Sequence, residues 1–355
     1  MARKKKNTST SLRKKYLKAF LGVMAGALLL TGYSFYREVF APNVNTQEKK
    51  SIYIYIKSGS SFQDLMRMLQ SKGILKNSES FEWVAEQMKY KEHIKPGKYL
   101  VRADMNNRQL IGLLRSGKQI PVRLSFSNIR TIEQFSGIVG SLIEADSASV
   151  SFLFHDESFQ SKYGFNGTNS FSILLPNTFE LKWNTSAEEF YQKLFIAYTK
   201  FWNVERMHKS ATIGLSKTQV AILASIVEQE TRKNDEKILI AGVYINRFRK
   251  GMKLEADPTL VYALGNFSVH RVLNEYKSIR SPYNTYMFAG LPPGPICMPS
   301  ENSIDAVLNY KKHDYLFFCA REDFSGYHTF AKTYDQHLAN ARRFQHELNR
   351  RGIKS

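Results

Sequence analysis

The sequence predicts an α+β chain with three parts: one N-terminal membrane-spanning helix, a small strand–helix–helix–strand subdomain, and a larger mixed α+β region. Three observations carry this. An uncharged apolar run follows a basic tail. Short β-branched segments alternate with amphipathic stretches, with no repeat of fixed period. One helix with a strong N-terminal signal carries a carboxylate in the middle of its apolar face.

Residues 1–18 hold eight cations, Arg3, Lys4, Lys5, Lys6, Arg13, Lys14, Lys15 and Lys18, and no acid. Residues 19–36 are uncharged. As a helix they extend roughly 27 Å, enough to cross a hydrocarbon core. Tyr33 and Tyr36 fall near the far end, where interfacial aromatics are favoured. The basic flank stays in the cytoplasm, so the reading is a single-pass protein of the cytoplasmic (inner) membrane with an exported body. A cleaved signal peptide is the rival, but Thr31-Gly32-Tyr33 is a poor substitute for an A-x-A-like site.

The formal charge of +20 first points to nucleic acid. With the eight tail cations set aside, 43 Lys+Arg meet 31 Asp+Glu over residues 37–355, a surplus of 12 with the signs interspersed. No dense basic block remains, and an exported body does not meet DNA, so nucleic acid is excluded as a partner. An anionic polymer outside the membrane suits such a surface better. Cys297 and Cys319 lack zinc-ligand spacing; outside the cytoplasm they either pair or stay as buried thiols. No H-E-x-x-H, G-x-S-x-G, Walker A or G-x-G-x-x-G occurs, so metalloprotease, serine-hydrolase and nucleotide functions lack support. No metal and no cofactor are expected.

Residues 37–50 are polar and irregular, a tether off the membrane. Residues 51–56 (SIYIYI) read as a strand, Gly59-Ser60-Ser61 as a turn with a serine N-cap, and Phe62, Leu65, Met66 and Leu69 as one helix face stopped at Gly73. A second helix starts near Ser80, and Pro96-Gly97 turns into a strand at 98–101. This order over 51–105 resembles a LysM module, a small glycan-binding unit. An intermediate αβ region spans 106–210: a helix at 110–114, a strand at 121–126, and a helix at 131–142 opened by a Thr131…Gln134 capping box. A single long helix is expected from 185 to about 207.

The region 211–355 holds the chemistry. Ser216…Gln219 is a capping box, opening a helix from 219 to about 232. On a wheel with Val220 at zero, the large apolar side chains average about 290°, Glu230 falls near 280° and Glu228 near 80°. A carboxylate on an apolar face is desolvated, which raises its pKa toward what a general acid needs. The bland reading is an acid at a frayed helix end pairing with Arg232 or Lys233. Downstream, the helix around Asn246 ends before Gly251. Asp257-Pro258-Thr259 is expected to start a helix with Asp257 at the N-cap and Pro258 at N1. Tyr283, Asn284 and Tyr286, beside the Pro/Gly loop 290–296, offer flat faces and amides suited to sugar rings and N-acetyl groups.

These stretches together resemble one family, the endolytic murein transglycosylases (YceG-like). The likeness is carried by LASIVEQET (223–231), VYINRFRKGMKLEADPTLVYALG (243–265), SPYNTYMFAGLPPGPI (281–296) and, more loosely, HDYLFFCAREDFSGYHTF (313–330). It extends upstream through KPGKYLV (95–101), LLRSGK (113–118) and LLPNTFEL (174–181). The resemblance implies a membrane-anchored lytic transglycosylase that cuts peptidoglycan strands internally, without a cofactor, and terminates nascent strands beside the glycan-polymerising synthases. The family's catalytic glutamate, the one before Thr in E-x-E-T, maps to Glu230, and Glu228 maps to the supporting first Glu. Asn246, Glu255, Asp257, Tyr283, Asn284, Tyr286 and His328 are the substrate-binding candidates. Where a Gln-Thr-Asp-Pro-like run is expected, this chain has Glu255-Ala256-Asp257-Pro258, which adds a second carboxylate. Two other functions stay open on the residues: a non-catalytic glycan-binding scaffold, and a hydrolytic muramidase in which Glu255 or Glu228 activates water.

Overall fold

A computed structural model describes the backbone of residues 8–269 and 272–352; Arg3, Lys4, Lys5 and Lys6 of the basic tail lie outside the described residues. Helix α1 (Thr8–Phe40) is continuous, and its stretch from Arg13 to Phe40 is long and apolar enough to cross a membrane. It runs past Tyr36 into the segment expected as a tether. That segment is not loose: Val39 and Val44 are buried, Pro42 bridges Asn106 and Val44 bridges Leu75. The reason is a buried amide network that composition conceals. Asn43 donates to Asn77 O (2.8 Å) and Asn107 Oδ1 (2.7 Å), and Asn107 donates to Glu38 O (2.8 Å) at the end of α1.

The chain divides into two compact units, residues 1–121 with 182–184, and residues 122–181 with 185–355. In the first, β1 (Ser51–Ile56) pairs antiparallel with β2 (Gly97–Arg102), Ser51 opposite Arg102 and Ile56 opposite Gly97. Between them come α2 (Phe62–Ser71) and α3 (Ser78–Gln87), and α4 (Asn107–Ser116) follows. The strand–helix–helix–strand order is as the sequence predicts. Alternation on β1 sends Ile54 and Ile56 inward, onto Leu65, Leu69 and Phe81, and leaves Tyr53 and Tyr55 outward. Ser61 caps α2 reciprocally with Asp64, which satisfies two otherwise unpaired backbone donors.

The second unit begins with β3 (Val122–Phe126), α5 (Ile132–Gly140), α6 (Ser147–His155) and α7 (Glu157–Ser161). Strand β4 (Asn177–Leu181) pairs antiparallel with β3. An aromatic core joins these elements. Phe135 is fully buried, edge-on to Phe126 at 5.0 Å and to Phe154 at 5.6 Å, worth about 1.5–3 kcal/mol by burial alone. Thr131 caps α5, but the Gln134 side chain reaches back to Arg130 N, so the expected box is only half formed. The expected single helix from 185 is two, α8 (Ala187–Phe201) and α9 (Val204–Ile213). Asn203 breaks it as an N-cap whose side chain accepts from Arg206 N.

Helix α10 (Lys217–Glu230), capped by Ser216 and Gln219, is the centre of this unit. Every residue from 220 to 227 is buried. Around it pack α11 (Lys237–Arg249), α12 (Asp257–Leu264) and α13 (Glu301–Leu308). A hairpin of β5 (Phe317–Ala320) and β6 (His328–Ala331) lies against α14 (Tyr334–Arg350). The Pro/Gly loop before α13 threads past α10: Ile296 N donates to Ser225 Oγ (3.0 Å) and Met298 N to Ile129 O (2.8 Å). Gly294 must be glycine, because a Cβ there would lie 2.1 Å from Thr168 O.

Candidate active site

Glu230 is the last residue of α10; Thr231 after it is extended, so the helix ends two residues before the expected Arg232. The break points Glu230 at three cavities, of about 520, 630 and 650 Å³, all of which it lines. Tyr244 on α11 donates its hydroxyl to Glu230 Oε1. Among the described residues Oε2 has no hydrogen-bond partner. Burial raises the carboxyl's pKa to about 7; the Tyr244 hydrogen bond pulls it down and the charge of Asp257 pushes it up. Both protonation states are therefore accessible near neutrality. Tyr244 is itself buried, edge-on to Phe318 at 5.8 Å, so the donor is held in place.

Glu228, one turn's fraction back, faces elsewhere. Its Oε2 accepts from Ser300 N (3.2 Å), the Ser300 and Ser303 hydroxyls, and Lys237 Nζ (3.2 Å). Burial opposes its ionisation, but the serine hydrogen bonds and the Lys237 ammonium outweigh it, and its pKa stays below the usual value. Glu228 thus ties α10 to α11 and to the start of α13 while lining one of the cavities.

Asp257 differs from its expected position. Ala256 is the N-cap of α12 and Asp257 its first residue, with Pro258 in the first turn. Its carboxylate is free of a capping role and accepts from Tyr286 Oη at 2.5 Å. Asp257, Tyr286, Glu255 and Glu230 line one cavity together. Glu255, at a positive φ of 52°, pairs with Arg247. Burial and the Asp257 hydrogen bond raise the Tyr286 pKa, so its hydroxyl stays a donor.

The remaining candidates sit behind this surface. Asn246 donates to His313 O (2.7 Å) and Tyr315 O (3.1 Å). Asn284 is fully buried, donates to Lys277 O and Ile279 O, and accepts from Tyr286 N (2.9 Å), which shapes the loop that carries Tyr286. Tyr283 packs on Tyr262 at 4.7 Å. His328 hydrogen-bonds the buried Glu236 at 2.8 Å and packs edge-on to Phe318, which supports Tyr244 in turn. Both cysteines are free; burial raises the Cys297 pKa to about 12.

Residues 54–343 match the model of the YceG-like family. The chain belongs to this family. It is 27 % identical over 325 residues to proteins named endolytic murein transglycosylase from two strains of Streptococcus pneumoniae, covering 81 % of this chain and 57 % of each relative. The chain thus spans little more than half the length of those relatives. A Bacillus subtilis protein of the same name is 27 % identical over 327 residues, covering 87 % of this chain and 89 % of the relative. A crystal structure of a YceG-like protein from Listeria monocytogenes superposes with a TM-score of 0.54 at 27 % identity, covering 82 % of this chain and 99 % of that one.

In this YceG-like chain, sequence reasoning passed over Tyr244, Arg130 and Lys277. Tyr244 carried a signal: a tyrosine in the apolar stretch 238–245 of its helix needs a partner for its hydroxyl. Arg130 reaches its cavity from a loop and Lys277 from a short 3-10 turn (Asn274–Ser278), neither of which a periodicity reports.

Proposed function

We propose that this protein is a membrane-anchored, endolytic peptidoglycan lytic transglycosylase with Glu230 as its acid and base. The observation that carries the reading is Glu230 itself: a desolvated carboxyl with a pKa of about 7, one oxygen held by Tyr244, on a residue that lines open cavities. Protonated Glu230 donates to the glycosidic oxygen between N-acetylmuramic acid and N-acetylglucosamine. Positive charge grows on the muramyl ring in an oxocarbenium-like transition state. Ionised Glu230 then removes the proton from that ring's C6 hydroxyl. The C6 oxygen closes on C1, leaving a 1,6-anhydro end and consuming no water.

Glu228, Asn246, Asn284 and His328 act in this scheme by holding the elements that present Glu230, Tyr244 and Tyr286. Asp257 and Tyr286 face the substrate, with Glu255 at the margin and Tyr283 packed behind on Tyr262. The first unit serves as a LysM-like glycan-binding subdomain, supported by its element order and antiparallel strand pair. Helix α1 anchors the chain in the cytoplasmic membrane with the body outside, where strands emerge from the synthases. Cutting there ends strand elongation.

Glu255 shares the cavity with Glu230, which keeps a hydrolytic outcome in view. Mass spectrometry of purified glycan strands incubated with the full chain separates the two. Anhydro-ended products are expected, and reducing ends carrying an added water would overturn the non-hydrolytic step. Glu230→Gln is expected to lose about 10²–10⁴-fold in rate while folding normally. Near-normal cleavage by that variant removes Glu230 from the mechanism.

A further inference from the structure

The cavities on the two sides of Glu230 differ in how their arginines are paired. On the Tyr244 side, Arg247 is neutralised by Glu255. On the other side, Arg130 and Arg232 line the same two cavities as Glu230, and neither forms an ion pair among the described residues. Arg130 is held in place: a guanidinium N–H donates to Gln229 Oε1 at 2.8 Å, and the group lies 5.0 Å from the centre of the Phe267 ring. Gln229 is braced in turn, its amide donating to Cys297 Sγ at 3.3 Å. Neither Gln229 nor Phe267 carries charge, so the bracing orients Arg130 without cancelling it. Of the other carboxylates on these two cavities, Glu228 is already committed to Lys237 and the two serines, and Asp257 accepts from Tyr286 Oη.

Two guanidinium groups that line one cavity without an ion-pair partner repel each other, and an anion between them relieves the repulsion. A planar, forked donor set matches a carboxylate. We propose that Arg130 and Arg232 form a carboxylate-binding subsite beside Glu230, which takes an acidic substituent of the muramyl residues. This rests on the glycan-cleaving reading above. Glucosamine rings carry no carboxylate, so the subsite sets the register: muramyl units fall on the Arg130 side of the acid. The apolar wall of the same cavity, with Val261 and Phe267, suits the methyl group beside such a carboxylate. Two sources supply the group, the free lactyl carboxylate of a peptide-free strand and the carboxylates of a stem peptide.

The test is equilibrium binding by the full chain in detergent, in the Glu230→Gln background so that strands stay intact. Three ligands are compared: peptide-free strands, strands with stem peptides, and an N-acetylglucosamine oligomer without carboxylates. Arg130→Gln with Arg232→Gln is expected to weaken binding of at least one strand about tenfold or more, and to flatten its salt dependence. Binding of the neutral oligomer stays the same. Whichever strand loses affinity identifies the source of the carboxylate. Arg130→Lys with Arg232→Lys is expected to recover part of the loss, and near-equal melting temperatures establish that the variants fold. Unchanged strand affinity, or an equal loss for the neutral oligomer, overturns the subsite and leaves the cleavage reading standing. If the parent chain binds neither strand, both readings fall together.

Discussion

Glu230 is subject to two nearby influences of opposite sign, and each can be removed alone. The Tyr244 hydroxyl stabilises the ionised carboxylate, and the charge of Asp257 stabilises the neutral acid. In the proposed reaction Glu230 must start protonated, so the rate falls as pH rises through a pKa of about 7. Tyr244→Phe takes away a hydrogen bond to the charged form, so the pKa rises and the alkaline limb of the pH–rate profile moves up. Asp257→Asn takes away a negative neighbour, so the pKa falls and the limb moves down. At its own optimum each variant is expected to stay within about tenfold of the parent, the scale of one hydrogen bond. Limbs that move together, or do not move, break the link between Glu230 and the profile. The position of this carboxyl was legible because its wheel angle put it among large aliphatic side chains. The wheel misstated the reason, since residues 220–227 of α10 are buried on every side and the apolar face is not distinct. Asn246 and Asn284 attract notice in the sequence as amides for a ligand. The fold spends those amides on backbone carbonyls, which sequence spacing does not reveal.

At the scale of elements, caps and alternation were readable, and joints were not. A serine starts α2 and the Ser216 box starts α10 as the sequence predicts, because capping is a local pattern. Asn203 splits the helix expected from 185, because the run of aromatics that leads up to it hides one capping residue. The junction after α1 is the largest departure. A polar segment reads as a tether, but Asn43, Ser80 and Asn107 form a buried network that fixes the helix end to α3 and α4. Asn107→Ala leaves Glu38 O and the Asn43 amide short of partners, at an expected cost of about 1–3 kcal/mol. Denaturant unfolding of the full chain in detergent measures that loss. Limited proteolysis should also show faster cleavage at residues 41–46. A variant with parental stability and parental cleavage there would mean that the junction is held by Val39 and Val44 alone.

For the molecule as a whole, the charge that first suggested nucleic acid separates into a basic flank and a moderately cationic body. The flank matters only if α1 spans a bilayer, and that sets the final prediction. A spanning helix holds the protein by apolar burial, which salt does not weaken, whereas a basic tail on anionic headgroups is screened. The full chain should therefore stay with membranes through high-salt and alkaline washes and leave only with detergent. Deleting residues 2–36 keeps the end of α1, with Val39 and the Asn107 contact, so the body should still fold. It should become soluble and cleave isolated strands at close to the parental rate. Orientation is read separately: alkaline phosphatase fused after Ser355 should be active and β-galactosidase fused there inactive, since the basic flank stays inside. Release of the full chain by salt alone, or the reverse pattern of reporter activity, would place the body in the cytoplasm. Glu230 and its flanking cavities would then have no route to a wall polymer, however well they suit one.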